Sequence, residues 1–223
     1  MKNKTLTPSR FTLLALVLAS MLVLSSCASI KAGVGDALKG DIQQGAWSAD
    51  GKVFTNEWSN LKFTMPDEGY VALAKEQIDE MMQAGMEATG QKGTVADIAM
   101  MRIVYDFVIS AADTGTPNVT LAYENVGNNA ATKNIDENGY FDAMQTQFEQ
   151  VAAQGLTYTE LGRSTATIAG IEWKSSSYSL NDIANQDYYL HLSDGYMWQL
   201  IITYDSNFEQ AAKDLIAGIT SVK

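Results

Sequence analysis

The sequence predicts an α+β fold, an antiparallel β-sheet with helices packed on it. From about residue 46 onward, the hydrophobic spacing switches repeatedly between a period of two and a period near 3.6. The strand-like runs fall in neighbouring pairs joined by short turns containing Gly, Asn or Asp, which suits hairpins rather than crossovers. Three separate helical patterns interrupt these runs, so helices are expected to cover the sheet rather than follow every strand.

Residues 52–58 and 61–65 open the domain as short strands rich in aromatic and β-branched side chains, with Asp50 and Gly51 as turn and Pro66 as stop. Residues 71–89 read as a helix, because Ile78, Met81, Met82 and Met86 share one face while Lys75, Glu76, Asp79 and Glu80 lie largely elsewhere. Ile103, Tyr105, Phe107 and Ile109 alternate, as do Val119, Leu121 and Tyr123 after the turn-like residues 113–118, which predicts a hairpin. A second helix spans 139–154, with Phe141, Met144, Phe148 and Val151 spaced for one face. Four strands follow at 156–168, 171–180, 186–192 and 196–204, and a helix over 207–219, capped by Ser206 or Asn207, closes the chain.

This order of elements, with Trp47, Phe54, Asn56, Trp58 and the run 61–66, the hairpin 168–173 with Tyr178, and residues 196–198, resembles the Mog1/PsbP-like α/β/α sandwich. That fold includes lipoproteins of the DcrB type. The resemblance covers residues 46–223 and implies a binding or assembly factor rather than an enzyme, since its members share no single chemistry.

The first residues carry a different signal. Lys2, Lys4 and Arg10 precede about fourteen mostly apolar residues, too few for a span that needs roughly 20. Leu24, Ser25, Ser26 and Cys27 then resemble a lipobox, which implies cleavage before Cys27 and acylation of its thiol. The expected organisation is a signal peptide over 1–26, a lipidated tether over 27–45 and one α+β domain over 46–223. Two acyl chains give stable anchoring where one binds reversibly, so the mature chain is expected on the extracytoplasmic face of a bacterial cell membrane. Cys27 is the only cysteine, which excludes an intrachain disulfide.

Removing the signal takes three of the 15 basic residues and none of the 26 acidic ones, leaving 12 against 26. Such an acidic chain does not suit nucleic acid or electrostatic docking on anionic lipid. It keeps an exported domain soluble.

No catalytic set, cofactor site or metal site emerges. Gly162, Arg163, Ser164, Thr165 and Ala166 fail the G-x-S-x-G pattern at the last position, on a strand rather than at a strand-to-helix elbow. His191 is the only histidine. Residues 134–139 copy the first half of an EF-hand loop, but position twelve is Gln145 where calcium needs a bidentate carboxylate. Met81, Met82, Met86, Met100 and Met101 invite a copper(I) reading, yet the first three belong to a helical apolar stripe.

The candidate binding patch is the hairpin 171–192. With Ser177 facing Tyr189, one face carries Trp173, Ser175 and Ser177 beside Asp187, Tyr189 and His191, while Tyr178, Tyr188 and Leu190 face away. The expected function is a membrane-anchored, non-catalytic interaction or assembly module with a protein partner at the cell surface. The alternative is an accessory lipoprotein that binds a small ligand or metal.

Overall fold

A computed structural model describes residues 40–88, 103–128, 132–153 and 155–223. Cys27, the signal peptide, Met100 and Met101 lie outside the described residues, as does the side chain of Met86.

The α+β class holds, and the strands divide between two antiparallel sheets. Strands β1 (Ala46–Trp47), β2 (Val53–Asn56) and β3 (Leu61–Thr64) form a small sheet with β11 (Ile219–Ser221). Strands β4 (Tyr70–Ala72), β5 (Ile103–Ala111), β6 (Asn118–Asn125), β7 (Tyr158–Ile168), β8 (Ile171–Leu180), β9 (Ala184–Ser193) and β10 (Tyr196–Tyr204) form the large one, in the order β4-β5-β6-β10-β9-β8-β7.

Helices α1 (Lys75–Ala88) and α2 (Glu137–Ala152) cover the first face of the large sheet. Ile78, Met81, Met82, Tyr140, Phe141, Met144 and Phe148 pack there against Tyr105, Tyr178, Tyr188 and Leu190. The second face carries the small sheet and helix α3 (Glu209–Ala217), which bring Phe54, Phe63, Ala212 and Leu215 onto Phe107, Leu121, Trp198 and Leu200. The central strand β6 is buried at every position because both faces are covered. The second outer layer is therefore a sheet plus a helix, where the sequence predicts helices alone.

The sequence reading differs from the structure at several boundaries. Residues 70–72 pair with β5 as strand β4, and the first helix starts only at Lys75. The last helix stops at Ala217, and Ile219 is the first residue of β11, paired with Phe63 and buried. A one-turn 3-10 segment (Ser206–Phe208) precedes this helix, capped by Asp205, whose carboxylate accepts from the Asn207 amide at 2.8 Å, and neither Ser206 nor Asn207 caps the helix. Residues 40–45, assigned above to the tether, pack on the domain: Asp41 N donates to Tyr196 Oη at 2.9 Å and Gln44 Nε2 to the Tyr105 carbonyl at 2.8 Å. Gly45 is needed in this segment, since a Cβ there would meet the Phe54 ring and the Thr55 carbonyl.

The strict alternation expected for residues 103–109 is broken. The register of β5 on β6 shifts between Tyr105 and Phe107, so Asp106 is the extra residue of a bulge. Tyr105 therefore faces the helices, and Phe107 and Ile109 face the small sheet.

Candidate functional site

The hairpin β8–β9 turns at Asn181 and Asp182, whose φ values of 51° and 54° place both in the left-handed region that Asn and Asp tolerate. Pairing resumes at once, with Leu180 opposite Ala184, so Ser177 faces Asp187 and Ser175 faces Tyr189. The expected pairing of Ser177 with Tyr189 is thus off by two residues. An even slip preserves the faces, because side chains alternate with a period of two. Trp173, Ser175, Ser177, Asp187, Tyr189 and His191 do share the second face, and Tyr178, Tyr188 and Leu190 face the helices.

Coverage along this face decides what each residue does. Trp173 is 0% exposed and belongs to the core: its Nε1 donates to the Ile168 carbonyl at 3.3 Å, and its ring lies 6.3 Å from Trp198. It is not part of a surface patch. Ser175 is also buried, within hydrogen-bond distance (2.7 Å) of Ser164 Oγ. Ser177, Asp187, Tyr189 and His191 are half-buried, and Ser164 is exposed. The half-open part of the patch is therefore Ser177, Asp187, Tyr189 and His191.

Two hydrogen bonds organise it. Tyr204 Oη donates to Asp187 Oδ2 at 3.0 Å, and His191 Nδ1 lies 3.0 Å from the Glu172 carbonyl, with the imidazole 5.2 Å from Trp198 and 5.8 Å from Trp173. Burial, with the Asp187 charge beside it, pushes the Tyr189 phenol up to about 12, and the same two causes raise Tyr204. A phenol whose folded pKa is raised adds stability below its ordinary value near 10 and loses it as pH rises through the folded value. Replacing Asp187 by Asn removes the charge but not the burial. The two phenols are then expected to titrate lower, read as tyrosinate absorbance against pH with Tyr189→Phe to assign the steps. An unchanged titration would rule out coupling to Asp187.

The sequence reading missed a second polar cluster, beneath the N-terminal segment. At the β5 bulge Asp106 accepts from Gly45 N at 2.8 Å and Asn56 Nδ2 at 2.6 Å, and Tyr123 Oη lies 3.1 Å from its Oδ2 and 2.8 Å from Ser59 Oγ. Asn56 Oδ1 in turn accepts from the amides of Trp58 and Ser59. Burial raises the Asp106 pKa, opposed by the donors from Asn56, Gly45 and Tyr123. The only signal in the sequence is a lone acid in the apolar run 103–109. A third cluster buries Glu124 under α2, where Tyr140 Oη donates to it at 2.6 Å and accepts from Gln199 Nε2 at 2.8 Å.

The other chemical motifs take structural places. Asp136 caps α2, its Oδ1 accepting from Gly139 N at 2.7 Å, and Met81 and Met82 are buried core side chains. Ser164 of the incomplete G-x-S-x-G pattern sits on strand β7. Among the described residues no group of three or more His, Cys, Asp or Glu is placed to hold a metal ion, and no helix is long and apolar enough to cross a membrane.

No protein-family model matches the chain, and no curated protein sequence matches it. Among solved structures, cyanobacterial PsbP (CyanoP) from Synechocystis is similar with a TM-score of 0.45 and 10% identity, over 89% of this chain and 98% of that one. A protein from Bacteroides thetaiotaomicron is similar with a TM-score of 0.35 and 11% identity, over 77% of this chain and 48% of that one. LpqN, involved in cell envelope biogenesis of Mycobacterium tuberculosis, is similar with a TM-score of 0.34 and 16% identity, over 72% of this chain and 82% of that one.

Proposed function

We propose that this chain is a lipid-anchored extracytoplasmic binding module that acts without catalysis, tethered through Cys27 and engaging a protein partner. The observation that carries the reading is the polar, half-open stretch of the second sheet face. Where the small sheet and α3 cover that face it is aromatic and aliphatic; toward the β8–β9 hairpin it presents Ser177, Asp187, Tyr189 and His191, all half-buried. An antiparallel sheet tolerates a solvated face, so polar side chains there are free to serve recognition. The small residues Ser25 and Ser26 directly before Cys27, after a short apolar run, support the anchor.

Replacing Cys27 by Ala is expected to remove acyl label and move the protein from the membrane pellet to the soluble extracytoplasmic fraction. Retention in the pellet without label would overturn the anchor. In the anchored protein, joint replacement of Asp187 and Tyr189 by Ala is expected to keep the fold by circular dichroism while abolishing crosslinks to a partner. Unchanged crosslinks would exclude this face as the binding surface.

A further inference from the structure

We propose that β7 is a receptor edge, where an extended, cation-bearing segment of a partner protein adds to the large sheet as an eighth strand. This rests on the reading of the chain as an anchored binding module and names the partner's form. Strand β7 ends the sheet order and pairs with β8 alone among the described strands, so its outer side offers main-chain donors and acceptors along eleven residues. Such a row is a template for another strand. The other strands that end a sheet order are far shorter: β4 has three residues, β1 two and β11 three.

Proteins commonly block long edges with charge or a bulge, and β7 has both at one end only. Its register on β8 shifts between Glu160 and Gly162, which puts Leu161 60% exposed at the bulge. The nearby charge is drawn away from the edge. Arg163 lies over the Phe141 ring of α2 at 5.4 Å, paired with Asp142 at 2.8 Å and Glu160 at 2.6 Å. Beyond it, Ser164, Thr165, Ala166 and Thr167 are regularly paired on β8, uncharged and exposed or half-exposed. Four residues with small or β-branched side chains are left open for pairing.

Charge chooses the occupant. The chain beyond Ser26 carries 12 basic residues against 26 acidic ones, which repels a second copy and attracts a Lys- or Arg-bearing segment.

The test is a photoreactive p-benzoylphenylalanine at position 165 of the full chain in its own cells, with the crosslinked peptide sequenced by mass spectrometry. The expected result is one adduct to a different protein, through a Lys- or Arg-bearing segment. It should fall at least tenfold when Ser164→Lys and Thr167→Lys add like charge to the edge, and persist with Thr167→Ser. An adduct between two copies, an acidic crosslinked segment, no adduct, or an adduct indifferent to the lysines would each overturn the proposal. Fractionation of the same cells reads the membrane anchor separately, so failure of the anchor and failure of the edge are distinguishable.

Discussion

Replacing Trp173 by Ala is expected to destabilise the domain by about 3–5 kcal/mol, the range for removing a large aromatic side chain from a packed core. Trp173 is among the largest fully buried side chains. Its indole lies beside Trp198 and His191, which also contact each other, and its N–H is satisfied by the Ile168 carbonyl at the β7–β8 turn. Alanine would leave a cavity beside these rings and remove the donor to that carbonyl. Tyr189→Ala, on the same face but half-buried, should cost clearly less. Urea unfolding of both variants checks the contrast, and equal losses would mean the two positions are equally covered.

The second large effect is expected at Asp106. Asp106→Ala removes the acceptor for Gly45 N and Asn56 Nδ2 and the neighbour of Tyr123 Oη. Stranding such donors costs roughly 1–3 kcal/mol each, partly recovered by water, so a net loss of about 2–4 kcal/mol is expected. The N-terminal segment should loosen first, seen as faster proteolysis near Gly45. The pH dependence distinguishes charge from hydrogen bonding. A carboxyl whose folded pKa is raised contributes stability that is full below its unfolded value and lost as pH rises through the folded value. Wild type should therefore lose stability relative to Asp106→Asn as pH rises from about 4 toward neutral. A constant difference between the two across that window would refute a burial-raised carboxyl.

Much of the large sheet was legible because its signals are local. The strands 171–180 and 196–204 match β8 and β10 because alternation fixes each run and a two-residue turn ends it: Ala169 and Gly170 before β8, Asp194 and Gly195 before β10, all with positive φ. The apolar stripe of Phe141, Met144 and Phe148 likewise specifies the buried face of α2. Strands β1, β4 and β11, two or three residues long, carry no period of their own and exist only because β2, β5 and β3 pair with them. The β5 bulge was also invisible, since a register shift is a relation between two strands.

The candidate site divides in the same way. Sequence determined that Trp173, Ser175, Ser177, Asp187, Tyr189 and His191 share a face, because a two-residue period survives a slip of two in the turn. It also supplied the α+β class, the acidity and the Cys27 motif. Only the tertiary structure decided which of those side chains are buried in the core and which stay half-open. Trp173 is fully buried in the core shared with the small sheet and α3 while Ser177, Asp187 and Tyr189 stay half-buried, and Asp106 acquired its partners from Gly45, Asn56 and Tyr123, between 17 and 61 residues away. Periodicity is set by neighbours along the chain, but burial is set by whatever segment folds over it, and that segment comes from far away in sequence.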